Sequence, residues 1–132
     1  MKKILPVILT LIPFVFYAQE KIAVFSIDRI YSSKYDVLED VNDHKLIVYE
    51  DSNANIIYIK LVVNGIEKKD RFIVFGYDKD ETSFTFKVRD DIDGTIAIIV
   101  FEKIFDDRYK IYLVKSEKNF LILFGKKEFL NL

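Results

Sequence analysis

From Ile22 onward, apolar residues either alternate with polar ones or run unbroken for six to eight positions. These runs are rich in Ile, Val, Phe and Tyr, which favour β-strands, and alternation with period two is typical of a strand with one buried face. The breaks between the runs carry Asp, Asn, Ser and Gly, which form tight turns. The pattern predicts eight strands, at residues 22–31, 45–50, 56–63, 71–77, 83–89, 95–103, 109–115 and 119–126.

The connections between these predicted strands are short, which favours antiparallel pairing of consecutive strands. The expected fold is therefore all-β, a meander of about eight strands that forms a closed barrel or a strongly bent sheet. Residues 33–42 differ, because Tyr35, Leu38 and Val41 recur at helical spacing after Ser33. A short helix is a possible interpretation of that segment.

Two of the predicted strands are apolar on both faces, at residues 96–101 and 120–124. A single sheet in water buries only one of its faces, so the second face of these strands needs a cover. The candidates for that cover are the possible helix, Phe129 with Leu130, or a partner molecule. This second apolar face is the main indication of function in the sequence.

The beginning of the chain predicts export. Two lysines precede an apolar stretch at residues 4–18, which ends in the small residue Ala18 before Gln19. This arrangement indicates a signal peptide at residues 1–19, cut near Ala18/Gln19, and hence a periplasmic or extracellular protein. The stretch is shorter than the roughly 20 apolar residues of a membrane span, so we expect no transmembrane segment in the mature chain. Residues 20–132 are then a single all-β domain.

Composition narrows the possible functions further. The chain has no cysteine, which excludes disulfides, a lipidated N-terminal cysteine and a thiolate nucleophile. It has 20 basic and 21 acidic residues, and loss of the two leader lysines makes the mature chain more negative. Without a basic excess, nucleic acid is not an expected partner.

The sequence shows no motif for catalysis, a metal or a cofactor. His44 is the sole histidine, so any Ser-His-acid triad or histidine metal site would depend on it, and no serine-hydrolase or metalloprotease motif is present. The segment from Asp91 to Gly94 resembles part of a calcium loop, but Arg89 and Val100 occupy the first and twelfth ligand positions, so a tight turn is favoured. We predict a protein that is not an enzyme.

Two further groups of side chains are candidate sites. Carboxylates are numerous in alternate loops that would share one end of a meander, at Glu50, Asp51, Asp78, Asp80, Glu81, Asp106 and Asp107. Acids are common in solvated turns, and their number alone does not indicate glycoside chemistry, although they could bind a divalent cation weakly. Tyr58, Lys60, Lys110 and Tyr112 have the composition of a platform for single-stranded nucleic acid, but the negative net charge favours outward residues that cover a sheet.

These observations favour a small exported, non-catalytic protein of the cell envelope or extracellular space. We expect it to contact another protein, or a second copy of itself, through the apolar sheet face at 96–101 and 120–124. The alternative function is a carrier that holds a small apolar ligand inside a barrel lined by Phe84, Phe86 and Val88.

Overall fold

The computed structural model describes residues 19–51 and 53–132, which form eight β-strands. The strands are β1 (Gln19–Ser32), β2 (Val37–Asp51), β3 (Ile56–Val63), β4 (Ile66–Lys79), β5 (Ser83–Asp90), β6 (Ile96–Phe105), β7 (Arg108–Ser116) and β8 (Asn119–Leu130). The predicted signal peptide, apart from Gln19, lies outside the described residues and stays a prediction.

The eight strands form one closed antiparallel barrel. Each strand pairs with its neighbour in the chain, and β8 pairs with β1 to close the barrel. This confirms the predicted all-β meander of eight strands and selects the barrel over a bent open sheet. Short turns make the meander possible; between β3 and β4, for example, Asn64 (φ 50°) and Gly65 (φ 83°) form a two-residue hairpin turn.

The alternation of side chains along each strand separates an inner from an outer face. On β6, Ala97, Ile99 and Phe101 are buried in the barrel, whereas Ile96 and Ile98 point outward and are exposed. Because successive side chains of a strand point to opposite faces, this one strand contributes to both the core and the outer surface.

Aromatic side chains fill the centre of the barrel. Phe25 of β1 stacks on Phe101 of β6 with ring centroids 5.8 Å apart, and Tyr109 of β7 lies 5.2 Å from Phe25. Phe86 of β5 meets Phe101 edge to face at 6.1 Å. The predicted inward direction of Phe86 is therefore correct, and its ring takes part in a packed core.

Residues 33–42 form a turn and the first part of β2, where a short helix was considered. Asp36 has a positive φ of 51°, and strand pairing follows at once, with Leu38 opposite Tyr31. Ser33 extends the pairing of β1 with β8: its backbone N–H donates to the Phe120 carbonyl at 3.0 Å, and its hydroxyl accepts the Phe120 N–H at 2.8 Å. Two of the three apolar residues at helical spacing do not reach the core, since Tyr35 and Leu38 are exposed, whereas Val41 packs against it from β2. Pairing with β1 gives the backbone its hydrogen bonds instead.

β1 and β8 approach each other closely where β1 is irregular. The register between the two strands shifts around Asp28, between Ile27 and Arg29. Opposite this bulge is Gly125, where an added Cβ would lie 2.5 Å from the carbonyl oxygen of Ser26. Glycine is needed here because any larger residue would collide with the backbone of the neighbouring strand.

The meander divides the loops between the two ends of the barrel. The β2–β3, β4–β5 and β6–β7 loops share one end with Gln19, which we call the Gln19 end. The β1–β2, β3–β4, β5–β6 and β7–β8 loops lie at the other end, which we call the Ser32 end. Each end has its own pocket.

Candidate functional site

A continuous set of apolar side chains lies on the outside of the barrel. We call it the apolar outer face; it consists of Tyr31, Leu38, Ile98, Val100, Tyr112, Val114, Phe120 and Ile122. Its central row crosses five strands, because β6, β7, β8, β1 and β2 place Val100, Tyr112, Ile122, Tyr31 and Leu38 opposite one another in turn. Side chains opposite each other on one face of a sheet touch, so the row is one surface.

The two strands predicted to be apolar on both faces contribute to this same surface. β7 lies between β6 and β8, so residues 96–101 and 120–124 come together on the outside with Tyr112 and Val114 between them. Ile98 keeps 40% of its surface exposed and Leu38 keeps 52%. The remaining members are partly exposed, since neighbouring side chains cover one another.

No other part of residues 19–51 and 53–132 covers the apolar outer face. Extensive backbone contacts run between strands that are neighbours in the barrel, and strands that are not neighbours meet through side chains inside it, as Phe25 and Phe101 do, so none of the described segments crosses the outside of the sheet. The covers that the sequence offered do not lie on this face. Residues 33–42 form a turn and a strand, and no helix. Phe129 pairs with Val24 and is itself exposed, and Leu130 packs on the core. Among the described residues, the apolar outer face therefore has no cover.

Polar and charged side chains border the apolar outer face on one side. The next row towards the Gln19 end is formed by Glu102, Lys110, Phe124, Arg29 and Asp40. Arg29 Nε donates to Asp40 Oδ1 at 3.1 Å, and Lys110 Nζ lies 5.6 Å from the centroid of the Phe124 ring. Arg29, Asp40 and Lys110 thus have partners on the same outer surface. Such a border is typical of a polar rim around an apolar centre.

The Gln19 end of the barrel holds a pocket of about 330 Å³. We call it the end pocket; its walls are Ile22, Glu50, Asn55, Ile56, Ile57, Val74, Tyr77, Phe86 and Leu132. The backbone N–H of Val74 donates to the Asn55 carbonyl at 2.7 Å, which fixes the β2–β3 turn against β4. The Asn131 N–H donates to the Ile22 carbonyl at 2.8 Å and so places Leu132 beside the opening.

The polar side chains among the walls of the end pocket are those of Glu50, Asn55 and Tyr77. The Tyr77 ring lies 5.0 Å from the Phe86 ring, on the inner side of β4. Burial, and to a smaller extent the negative charge of Glu50, raises the pKa of Tyr77 above its ordinary value of 10.0. Glu50 forms no salt bridge with another of the described residues. The opening of the pocket therefore combines a neutral phenol with a carboxylate that has no ion-pair partner.

The pocket at the Ser32 end has charged walls whose groups serve the neighbouring turn. It has a volume of about 250 Å³, and Lys68, Asp70, Asp90 and Lys115 are among its walls. Asp90 Oδ1 accepts the backbone N–H of Ile92 at 2.8 Å, and its carboxylate lies 3.9 Å from Lys115 Nζ. Asp90 is thus already bound by its own loop.

The segment from Asp91 to Gly94 forms the turn between β5 and β6. Asp93 Oδ1 accepts the backbone N–H of Thr95 at 2.8 Å, and Gly94 has a φ of 74°. The hydrogen bonds from Thr95 are the main cause of a lowered Asp93 pKa. Within the described parts of the chain, no three His, Asp or Glu side chains are placed to hold a metal ion together.

His44 lies on β2 and makes a local contact. Its Nδ1 is 2.6 Å from the Asn42 carbonyl oxygen, so Nδ1 carries the hydrogen and donates it. Opposite it on the neighbouring strands are Ile27 and Val63. Among residues 19–51 and 53–132, no serine or carboxylate side chain forms a hydrogen bond with the imidazole, so the geometry is not that of a triad.

Three of the seven loop carboxylates have a local partner, two of them in turns. Asp51 Oδ1 accepts the Asn53 N–H at 3.2 Å, and Asp80 Oδ1 accepts the Glu81 N–H at 2.6 Å. Asp107 lies 3.7 Å from Lys126 Nζ. Their loops do share the Gln19 end, as expected, and Glu50 is the one of the seven that lines the end pocket.

The four side chains considered as a stacking platform form two separate pairs. Tyr58 and Lys60 are on β3, whereas Lys110 and Tyr112 are on β7, and these strands are not neighbours. Lys60 Nζ is 2.9 Å from a Glu67 oxygen. The barrel therefore does not bring the four together.

Comparison with family models, curated proteins and solved structures gives no match. In the part of the chain that the structure describes, no helix has the length and apolar character needed to cross a membrane. The apolar outer face and the end pocket are thus the two features on which a functional argument rests.

Proposed function

We propose that this protein is a small exported, non-catalytic interaction module of the cell envelope or extracellular space, which docks on another protein through its apolar outer face. The observation that carries the proposal is the uncovered row from Val100 to Leu38 across five strands. Large contiguous apolar patches with a polar rim are typical of protein-binding surfaces. Export is supported by the sequence of residues 1–19.

The closed barrel limits how a partner can bind. All eight strands have two paired neighbours, so no free strand edge is available for a partner to extend the sheet. A partner must therefore meet side chains. Tyr31 and Tyr112 offer aromatic rings with polar tips at the centre of the face, which is the kind of residue that provides much of the binding energy in interfaces.

The partner we propose presents a complementary apolar surface without charges at its centre. The charges that border the face, such as Arg29 with Asp40, already pair with each other and would stay hydrated at the rim. The carrier alternative has less support, because Phe25, Phe101 and Tyr109 occupy the middle of the barrel.

The test measures association and apolar exposure of the purified protein. Size-exclusion chromatography with light scattering reports the oligomeric state, and binding of an apolar fluorescent dye reports the patch. We expect dye binding that Ile122→Lys abolishes and that Val62→Lys, an outward change on β3 away from the face, leaves intact. Concentration-dependent dimers lost in Ile122→Lys would make the partner a second copy. A monomer that binds no dye would overturn the proposal.

A further inference from the structure

The end pocket has the size and walls of a small-molecule site. Its volume of about 330 Å³ lies at the lower end of the range of about 300–1,000 Å³ for ligand pockets. Ile22, Ile57 and Phe86 form its inner wall, and all three belong to the buried core. The core behind the wall is packed, so the pocket is a depression at one end of the barrel and is distinct from the barrel interior that the carrier alternative would use.

Glu50 and Tyr77 face the pocket because of the register of their strands. Glu50 lies opposite Ile57 on β3, and Ile57 points into the barrel, so Glu50 is at an inward position of β2. On β4, the register shift between Val74 and Gly76 adds one residue and brings Tyr77 to the inner side, opposite Phe86. A carboxylate and an aromatic ring therefore face the same apolar pocket.

We propose that the end pocket binds a compact apolar molecule that carries a protonated amine. The hydrocarbon part packs on Ile22, Ile57 and Phe86, and the ammonium group contacts the Glu50 carboxylate beside the Tyr77 ring. A carboxylate without an ion-pair partner attracts a cation, and an aromatic ring adds to that attraction. The effect of the Glu50 charge on the pKa of Tyr77 is consistent with a negative potential in this space.

The positive side chain of Lys79 lies near the opening and has other contacts. Lys79 Nζ donates to the Leu132 carbonyl oxygen at 3.3 Å and lies 5.4 Å from the centroid of the Phe84 ring. It is not among the residues that line the pocket. An apolar anion would require Lys79 to leave these contacts, whereas an ammonium group meets Glu50 as it stands.

The inference goes beyond the proposed docking function, because the two sites use different residues. Glu50 and Tyr77 belong to β2 and β4 at the Gln19 end, and the apolar outer face shares no residue with the end pocket. A variant of the pocket should therefore leave dye binding to the outer face unchanged. Failure of either proposal can be recognised without reference to the other.

The experiment compares three probes with the same eight-carbon chain: octylammonium, octanol and octanoate. Each is titrated into the full mature protein below its micellar concentration, with affinity and location measured by backbone amide NMR. We expect octylammonium to bind at least about tenfold more tightly than the other two, the effect of one charge-assisted contact. Its largest shifts should fall on Ile57 and Val74. Equal or tighter binding of octanoate, or no binding by any probe, would overturn the proposal.

Matched variants identify the group responsible. Glu50→Gln should weaken octylammonium binding about tenfold and leave octanol unchanged. Glu81→Gln makes the same chemical change in a loop at the same end, away from the pocket walls, and should have no effect. Val74→Phe should fill the pocket and reduce the binding of both octylammonium and octanol, with thermal unfolding measured as a check on folding. A loss with Glu81→Gln as large as that with Glu50→Gln would contradict the assignment.

Discussion

Arg108 and Asp28 form a two-point contact that spans β8. Arg108 Nη1 donates to Asp28 Oδ2 at 2.5 Å and Nη2 donates to Oδ1 at 3.0 Å. The contact joins the start of β7 to the bulge in β1, with one strand between them. It is also the main reason why the pKa of Arg108 lies above its ordinary value.

We expect this pair to contribute modestly to stability. Two aligned hydrogen bonds favour it, but the side chains remain partly in water, so a double-mutant cycle of Arg108→Ala and Asp28→Ala should give a coupling of about 0.5–1 kcal/mol in urea unfolding. The more exposed single contact between Arg29 and Asp40 serves as the comparison and should give less. A larger coupling for that pair would contradict the importance of the two-point geometry.

Substitution of Gly125 should disturb the seam between β8 and β1. A Cβ there would lie 2.5 Å from the Ser26 carbonyl oxygen, and backbone cannot move aside cheaply. Gly125→Ala should therefore lower the free energy of unfolding by roughly 1–3 kcal/mol. Gly76→Ala is the control, because its nearest contact is the flexible Lys87 side chain at 3.1 Å. Equal losses in the two variants would show that the contact with Ser26 is not the cause.

Substitution of Ile98 and Ile99, which are neighbours on β6, tests which side of that strand faces the core. Ile99 has 1% of its surface exposed and Ile98 has 40%. Ile99→Ala should cost about 2–5 kcal/mol of stability in chemical denaturation, because it removes buried methyl groups and leaves a cavity. Ile98→Ala should cost clearly less. The reverse order would mean that the register of β6 is shifted by one residue.

Acidification should reveal the contribution of Asp93 to the β5–β6 turn. The hydrogen bonds from Thr95 hold the pKa of the folded-state carboxylate below its ordinary value of 3.8. A lowered pKa stabilises the folded protein at pH values above that ordinary value, and this contribution is lost as the pH falls through the folded-state pKa. The stability difference between the protein and Asp93→Asn should thus shrink on acidification below about pH 3.8. A difference that does not vary with pH would contradict the shift.

The sequence predicts the strands where hydrophobic alternation is strong and misses their polar ends. The predicted strand at 71–77 begins at Ile66 in the structure. Glu67, Lys68 and Lys69 pair fully with β3, but the prediction misses them because they show no apolar alternation. The Asn64-Gly65 turn could have indicated the earlier start of β4, because the strands on both sides of a two-residue hairpin turn pair directly next to the turn. β2 also begins earlier than predicted, at Val37, because residues 37–40 pair with the end of β1.

The apolar outer face could be predicted from the sequence, and the end pocket could not be predicted from hydrophobic alternation. The apolar outer face follows from strands that are apolar at every position, since no single sheet can bury both sides. The end pocket does not follow, because strict alternation from Val74 would place Tyr77 outside. A one-residue bulge at Phe75 reverses that direction, and the isolated Gly76 beside it is the signal in the sequence that could have indicated it.

The pairing of the first strand with the last has a consequence for folding. Seven of the eight ladders join consecutive strands and can form as local hairpins, whereas the β1–β8 ladder requires almost the whole domain to be assembled. Contacts between distant segments form at a high cost in chain entropy, so we expect this ladder to close last. Until it closes, two unpaired edges stay open to another chain. Refolding at high concentration should therefore yield strand-exchanged oligomers, and dilution should suppress them.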